Sequence, residues 1–468
     1  MTLGNLHAPS GSTEFHAPAP PAVRLAYVLR HFRLAYAAVP EELSVGYPET
    51  HPHLEIADAA SGFFQAKAPY PPAPNWREWQ GQQIPVFFDL TPEKPLLELL
   101  PSNRARIHAD LISAAFYLLS GWQEYFSAER DQHGRFPYAA SVQQRYGFVA
   151  VPVVNYYFDI LRTAVEHITG QQALARRWGA NAAPFAAFIT HDIDNCQSAW
   201  KSEGKAALRG GQIARFGRLL VRRLQGRDAW NNLEEVQAET GRWGAKSTFF
   251  FLGNPRRAAN GTRNADYDLT KPRFQQRIRN LASAGAEVAT HGSLGTAQNA
   301  SQLQQEKAKL PVAALGARFH YLSWEPRQTP QVVAAAGLAY DSTLGFAEHF
   351  GFRNSYCLPF HPFDFEYGKA FDFLEIPLNV MDTTLHHPNY LQLAPDEIGP
   401  ALRPMFEQIE RFGGVCTVLW HNENFAPQNQ KNGPRQFHEL LHYLHGRGAA
   451  FVNGTDILNW SGTTTPKS

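Results

Sequence analysis

The chain is poor in cysteine and methionine, with three of each, and it lacks an excess of either charge. Cys196, Cys357 and Cys416 are too few and too scattered for a disulfide framework or a Cys-type zinc site. Lys plus Arg number 43 and Asp plus Glu 42, a net charge of +1. That balance argues against a general nucleic-acid binder, so no nucleic-acid partner is expected. No apolar run reaches the roughly 18 residues of a membrane-spanning helix. The opening residues Met1-Thr2-Leu3-Gly4-Asn5-Leu6-His7 have no basic stretch followed by an apolar one. A secretory signal is therefore not expected, and cytoplasmic residence is the default. There is no internal repeat of solenoid period.

What is present is a core-forming composition. Of 468 residues, 44% are hydrophobic and 18% charged, enough to bury a large interior. Residues 1–22, rich in Pro, Ala, Ser and Gly, read as a disordered lead-in, and 461–468 read the same way. From 23 to 179 helix and strand signals mix, predicting a smaller mixed α/β domain of open role. Its helices are expected over 23–36, 106–125 and 157–168, a strand over 84–88 and a loop at 135–138. A boundary is expected between 171 and 183.

From 183 to 460 the grain changes. Strand-like runs occur at 184–190, 246–252, 287–290, 319–323, 338–341, 373–380, 415–419 and 449–452. Helical stretches lie between them, such as 233–243, 273–284, 329–336, 397–412 and 435–446. Strand and helix alternating about eight times predict a parallel sheet. At this length the economical closure is a distorted (β/α) barrel of about seven to eight strands. The alternative is an open doubly wound sheet, but no Gly-rich phosphate loop follows the first strand.

The unusual polar residues sit at or just past the ends of these strands. Asp192 and Asp194 follow the first, His291 the third, and Arg318 and His320 mark the fourth. Asp341 ends the fifth, Glu375 lies in the sixth with Asp382 just beyond, and His421 follows the seventh. Parallel strands of a barrel deliver their C-terminal ends to one face. Carboxylates, imidazoles and a guanidinium on that face suit metal-assisted hydrolysis. Each residue also has a plainer reading. The Asp pair could cap a helix, the histidines could be satisfied core residues, and Arg318 could be a surface side chain. Trp324 and Trp420 are candidates for sugar stacking or for core packing.

These segments resemble the polysaccharide deacetylase, or NodB-homology, family over about 185–460. The resemblance rests on His191-Asp192-Ile193-Asp194, on Gly244 to Phe251, on Thr290-His291-Gly292-Ser293, on Arg318 to Leu322 and on Leu419-Trp420-His421. Tyr340 to Gly345 and Glu375-Ile376-Pro377 resemble a subgroup with an extra N-terminal domain. The resemblance implies a distorted barrel, a divalent metal, most often zinc, and removal of acetyl groups from N-acetylated sugars. Carried over, Asp194 and His291 would bind the metal and Asp192 would be the base. Arg318 would orient that base, His421 would protonate the leaving amine and Asp382 would hold His421. Where the family's second motif has another His, this chain has Gly295, so His320 is the candidate third ligand. Oxygen-rich coordination would favour a harder metal than zinc. The Gly295 departure also supports an alternative, a catalytically degenerate domain that binds a glycan or a protein partner.

Lys201 to Arg227 holds eight basic residues and one acid, Glu203, with Leu219, Leu220, Val221 and Leu224 on an apolar side. Such a helix either packs over the barrel with a solvated face or makes weak contact with an anionic membrane surface.

Overall fold

The computed structural model describes residues 19–462 except 38, 41, 177–182, 225–227, 259, 427, 428 and 430. Most of the expected lead-in and tail, and residues 177–182 of the expected inter-domain boundary, lie outside the described residues. Ordered helix begins at Pro21, slightly inside the expected lead-in.

The C-terminal part is a curled parallel sheet of nine strand segments: β1 (Ala186–Ile193), β2 (Thr248–Leu252), β3 (Glu287–Gly292), β4 (Gly316–Phe319), β5 (Tyr340–Asp341), β6 (Leu374–Glu375), β7 (Val380–Met381), β8 (Val415–Leu419) and β9 (Ala450–Val452). The order around the sheet is β6-β5-β4-β3-β2-β1-β8-β7, with β9 alongside the start of β1. β6 and β7, on opposite edges, are separated by only four residues. The Ile376 N–H donates to the Asp341 carbonyl and the Asn379 N–H to the Thr417 carbonyl. One extended segment thus bridges both edges and closes a distorted (β/α) barrel. The strand expected over 373–380 is therefore two short strands on different neighbours. The fourth strand also lies earlier than expected: it ends at Phe319, and His320–Leu322 is a 3-10 turn.

Both faces of these strands are covered, so they are apolar nearly throughout; β2 is Thr-Phe-Phe-Phe-Leu, all buried. The two-residue period decides which side chains enter the barrel. Thr190 and Asp192 both meet Arg318 inside, whereas His191 faces outward among Phe249, Phe425 and Phe437. Tyr340 fills the barrel floor. A Cβ on Gly316 would lie 1.9 Å from its ring, so no larger residue fits there. Glu287 closes the floor, accepting from Gly454 N–H, Thr455 N–H and the Tyr340 hydroxyl.

The N-terminal part packs helices Pro21–Ala35, Leu111–Leu119 and Val153–Thr169 around a four-stranded mixed sheet. The helix expected over 106–125 is interrupted. Arg104–Ile107 is a strand, the Asp110 carboxylate caps Leu111–Leu119 by accepting from Ser113 N–H, and Gly121 (φ 71°) breaks the chain before Trp122–Phe126. One continuous apolar core runs through both parts. The segment between β5 and β6 seals them: Tyr27 donates to the His361 carbonyl, and buried Arg353 pairs with buried Glu124 at 2.6 Å. No helix among the described residues is long and apolar enough to cross a membrane.

Candidate metal centre and its surroundings

All seven candidate residues converge at the C-terminal end of the barrel. Asp194, one step past β1, is the hub. Its Oδ1 lies 3.3 Å from His291 Nε2, and its Oδ2 lies 3.5 Å from His320 Nε2 and 3.9 Å from His421 Nε2. His291 sits near the end of β3, in register with Arg318 on β4. Its Nδ1 is 2.8 Å from the Arg318 carbonyl oxygen, which can only accept. The neutral ring therefore carries its proton on Nδ1, and the Nε2 lone pair faces Asp194.

Among the described residues, Asp194, His291 and His320 form the group able to hold a metal ion, with ligand atoms within 4.8 Å of one another. Asp194 Oδ1 and His320 Nδ1 are buried and have no hydrogen-bond partner among the described residues. A buried carboxylate oxygen facing an imidazole lone pair is unfavourable unless a cation stands between them. Ligands about 2.0–2.1 Å from a tetrahedral ion lie roughly 3.4 Å apart, close to the separations here. The donor set fits a divalent metal with three protein ligands and a position left over.

Gly295 contributes no ligand. It adopts φ 95° and begins a 3-10 turn, a conformation that suits glycine. The third position is reached instead by His320, whose turn places Tyr321 (φ 59°) and Leu322 (φ 55°) in the left-handed region. Two successive non-glycine residues there are costly, and such strain gathers where geometry serves function.

On one side of the group lies Asp192. Arg318 Nη1 donates to its Oδ1 at 2.9 Å, while Oδ2 stands 3.6 Å from His291 Nε2. Arg318 is fully buried. It also donates to Thr190 Oγ1, the Ser342 carbonyl and Ser342 Oγ, and stacks on Phe250. The surface-side-chain reading of Arg318 is excluded, and Asp192 caps no helix.

On the other side, His421 Nδ1 donates to Asp382 Oδ1 at 2.8 Å. Asp382 is fixed in turn by His421 N–H, Thr383 N–H and Asn424 Nδ2. Burial works against the charged imidazole, but Asp382, Asp194 and Asp192 outweigh it and raise His421 to about 10. Burial likewise opposes ionisation of Asp194; positive charge beside it, on protonated His320 and His291 or on a cation between neutral rings, holds it well below the usual carboxylate range. Asp194 and His421 are the more open members, with side chains 21% and 16% exposed.

Asp341 and Glu375 lie deeper, side by side on β5 and β6. Burial raises both, Asp341 to about 6 and Glu375 well above its usual range, so the pair keeps a proton. Trp324 and Trp420 are core residues, 3% and 0% exposed, and neither offers a sugar-stacking face.

Sequence reasoning passed over Glu423, whose carboxyl accepts from Asn195 and is raised to about 8 by burial and by Asp194. The polar run His421-Asn422-Glu423-Asn424 after an apolar strand was the available signal. It also passed over the N-terminal part's contribution. His133 stacks on Tyr321 at 4.8 Å and 10°, and Arg135, held by Asp131, donates to the Tyr321 carbonyl. A loop whose Arg135 lies 186 residues from Tyr321 in sequence thus braces the turn that carries His320.

Comparison with known proteins gives the following. The model of a family of unknown function, DUF7033, matches residues 32–170. None of the curated proteins matches the chain. Among solved structures, the chain is similar to a Mycobacterium smegmatis protein described as a polysaccharide deacetylase: 16% identity, TM-score 0.42, covering 62% of this chain and 95% of that one. It is also similar to the Puue allantoinase, with 13% identity, TM-score 0.41 and coverage of 64% and 96%.

Proposed function

We propose that this chain is a metal-dependent hydrolase that removes an N-acetyl or similar acyl group from a sugar or glycan precursor. The observation that carries the reading is the convergence of Asp194, His291 and His320, with an Arg318-bonded Asp192 on one side and an Asp382-held His421 on the other.

A metal held by Asp194, His291 and His320, zinc in the first instance, would polarise the acyl carbonyl and acidify a bound water. Asp192 gives one oxygen to Arg318 and keeps the other turned inward, where it can take a proton from the attacking water. His421 faces the same space from the opposite side. With Nδ1 bound to Asp382, the imidazolium presents its second N–H toward Asp194 and can protonate the departing amine. The amide carbon–nitrogen bond breaks, the nitrogen receives the His421 proton, and a carboxylic acid leaves.

The decisive experiment is metal content by mass spectrometry of the purified protein and of Asp194→Ala, paired with acetate release from N-acetylated sugar oligomers. Near one equivalent of a transition metal in the parent, lost in the variant together with turnover, is the expected result. No metal after reconstitution and no turnover would favour the degenerate, glycan- or partner-binding reading that Gly295 motivates.

A further inference from the structure

The segment between Asn195 and Asn232 leaves the barrel rim as a helical hairpin, α1 (Ala199–Arg209) and α2 (Ile213–Leu224), turning at Gly211 (φ 68°). Its base is pinned at the mouth. Ala199 N–H and Trp230 N–H both donate to Asp228, and the Asn422 amide donates to the Asn195 and Trp230 carbonyls. Asn422 is the neighbour of His421, so the hairpin springs from the edge of the metal centre.

The single basic helix expected over 201–227 is therefore two helices, and their apolar residues do not pack over the barrel as one buried face. The helices pack Gly204 against the Phe216 ring, and Ala207 and Leu219 are buried. The other apolar side chains face out: Leu208 is 53% exposed, Ile213 76%, Leu220 41%, Val221 52% and Leu224 80%. Five of the ten large hydrophobic residues exposed among the described residues fall in these 17 positions. Ile213, Leu220 and Leu224, spaced by seven and four, form one stripe along α2. Lys201, Lys205, Arg209 and Arg218 are also exposed, and 201–227 carries eight basic residues against Glu203.

We propose that this hairpin docks the chain on an anionic lipid surface. Apolar residues clustered this densely in solvent call for an apolar partner. The surrounding positive charge selects one that is also anionic, and a bilayer with acidic headgroups supplies both in one plane. A second copy of the chain fits worse, because a two-fold contact would set two strongly basic hairpins against each other. Ile213, Leu220 and Leu224 enter the headgroup boundary while the basic side chains meet lipid phosphates. Docking stands independently of the hydrolase reading. If both hold, the metal centre is kept near the surface and its substrate is a glycan carried there.

The test is co-sedimentation of the full chain with phosphatidylcholine vesicles containing about 30% phosphatidylglycerol, at roughly 50 and 500 mM salt. Binding at low salt, weakened at high salt and much lower on pure phosphatidylcholine, is expected. Leu220→Glu with Leu224→Glu should reduce it by about tenfold or more, with an unchanged melting temperature. No binding by the parent at low salt would overturn the proposal, as would equal binding to neutral vesicles or unaltered binding by the double variant. A parent that elutes as a dimer, and a double variant that elutes as a monomer, would assign the stripe to self-association instead.

Discussion

Two buried guanidinium–carboxylate pairs hold different regions of this molecule and are built differently. At the seam between the N-terminal part and the barrel, Arg353 grips Glu124 through both carboxylate oxygens, at 2.7 and 2.6 Å, and sends its remaining arm to the Gly345 carbonyl. That pair is closed: no charged oxygen is left over. At the barrel mouth, Arg318 divides its donors among the Ser342 carbonyl, Ser342 Oγ, Thr190 Oγ1 and a single oxygen of Asp192. The second Asp192 oxygen faces His291 in the candidate metal-binding group. A closed pair holds two pieces of chain in register, while an open pair orients a carboxylate and leaves one oxygen free to accept a hydrogen bond.

The contrast can be broken from either side. Glu124→Ala leaves Arg353 buried and uncompensated, and should cost about 3–5 kcal/mol. Chemical denaturation would show it, and an unchanged midpoint would mean the seam does not depend on the pair. Asp192→Asn keeps a hydrogen-bond acceptor for Arg318 but not its counter-charge, so the denaturation curve should move less than with Glu124→Ala. Turnover should fall on the order of 10³-fold; a variant that kept its rate would remove Asp192 from the chemistry.

Asp382→Asn sharpens the comparison, because it tests a carboxylate that positions another group. A loss of about 10–100-fold is expected, with folding intact. The pH profile carries the diagnostic sign. In the proposed reaction His421 is the acid; its folded pKa is raised, so activity should be present below that pKa and lost as pH rises through it. Removing the Asp382 charge lowers that pKa, so the alkaline limb should move to lower pH. A limb that stays in place would uncouple the two residues.

The smallest effect probes how far the N-terminal part reaches into the site. His133→Ala removes the ring stacked on Tyr321. An aromatic contact of about 1 kcal/mol predicts a several-fold rise in KM with the metal content unchanged. An unaltered KM would confine the N-terminal part to a structural role.

Much of the site was readable because strand period and strand ends are local properties. An apolar run ending in His191-Asp192-Ile193-Asp194 places alternate residues on opposite faces, and the structure accordingly turns His191 away from the two acids. Parallel strands then deliver Asp194, His291, Arg318 and His421 to one end. His320 was harder, since it stands on a turn past β4 and reaches the centre only because Tyr321 and Leu322 accept left-handed backbone. The division of residues 374–381 between the two sheet edges was invisible, because an extended run does not announce its neighbours. The same holds for the brace from His133 and Arg135, and for Glu423, whose raised pKa comes from burial beside Asp194.

The sequence by itself determined the alternation of strand and helix and the chemistry available at the strand ends. Both follow from side-chain type and from periods of two or 3.6 residues. Only the tertiary structure decided that His320 joins Asp194 and His291, that one segment closes the barrel, and that a basic hairpin turns its apolar stripe outward. Those outcomes depend on register and on contacts between residues far apart in the chain, which no local pattern of side chains encodes.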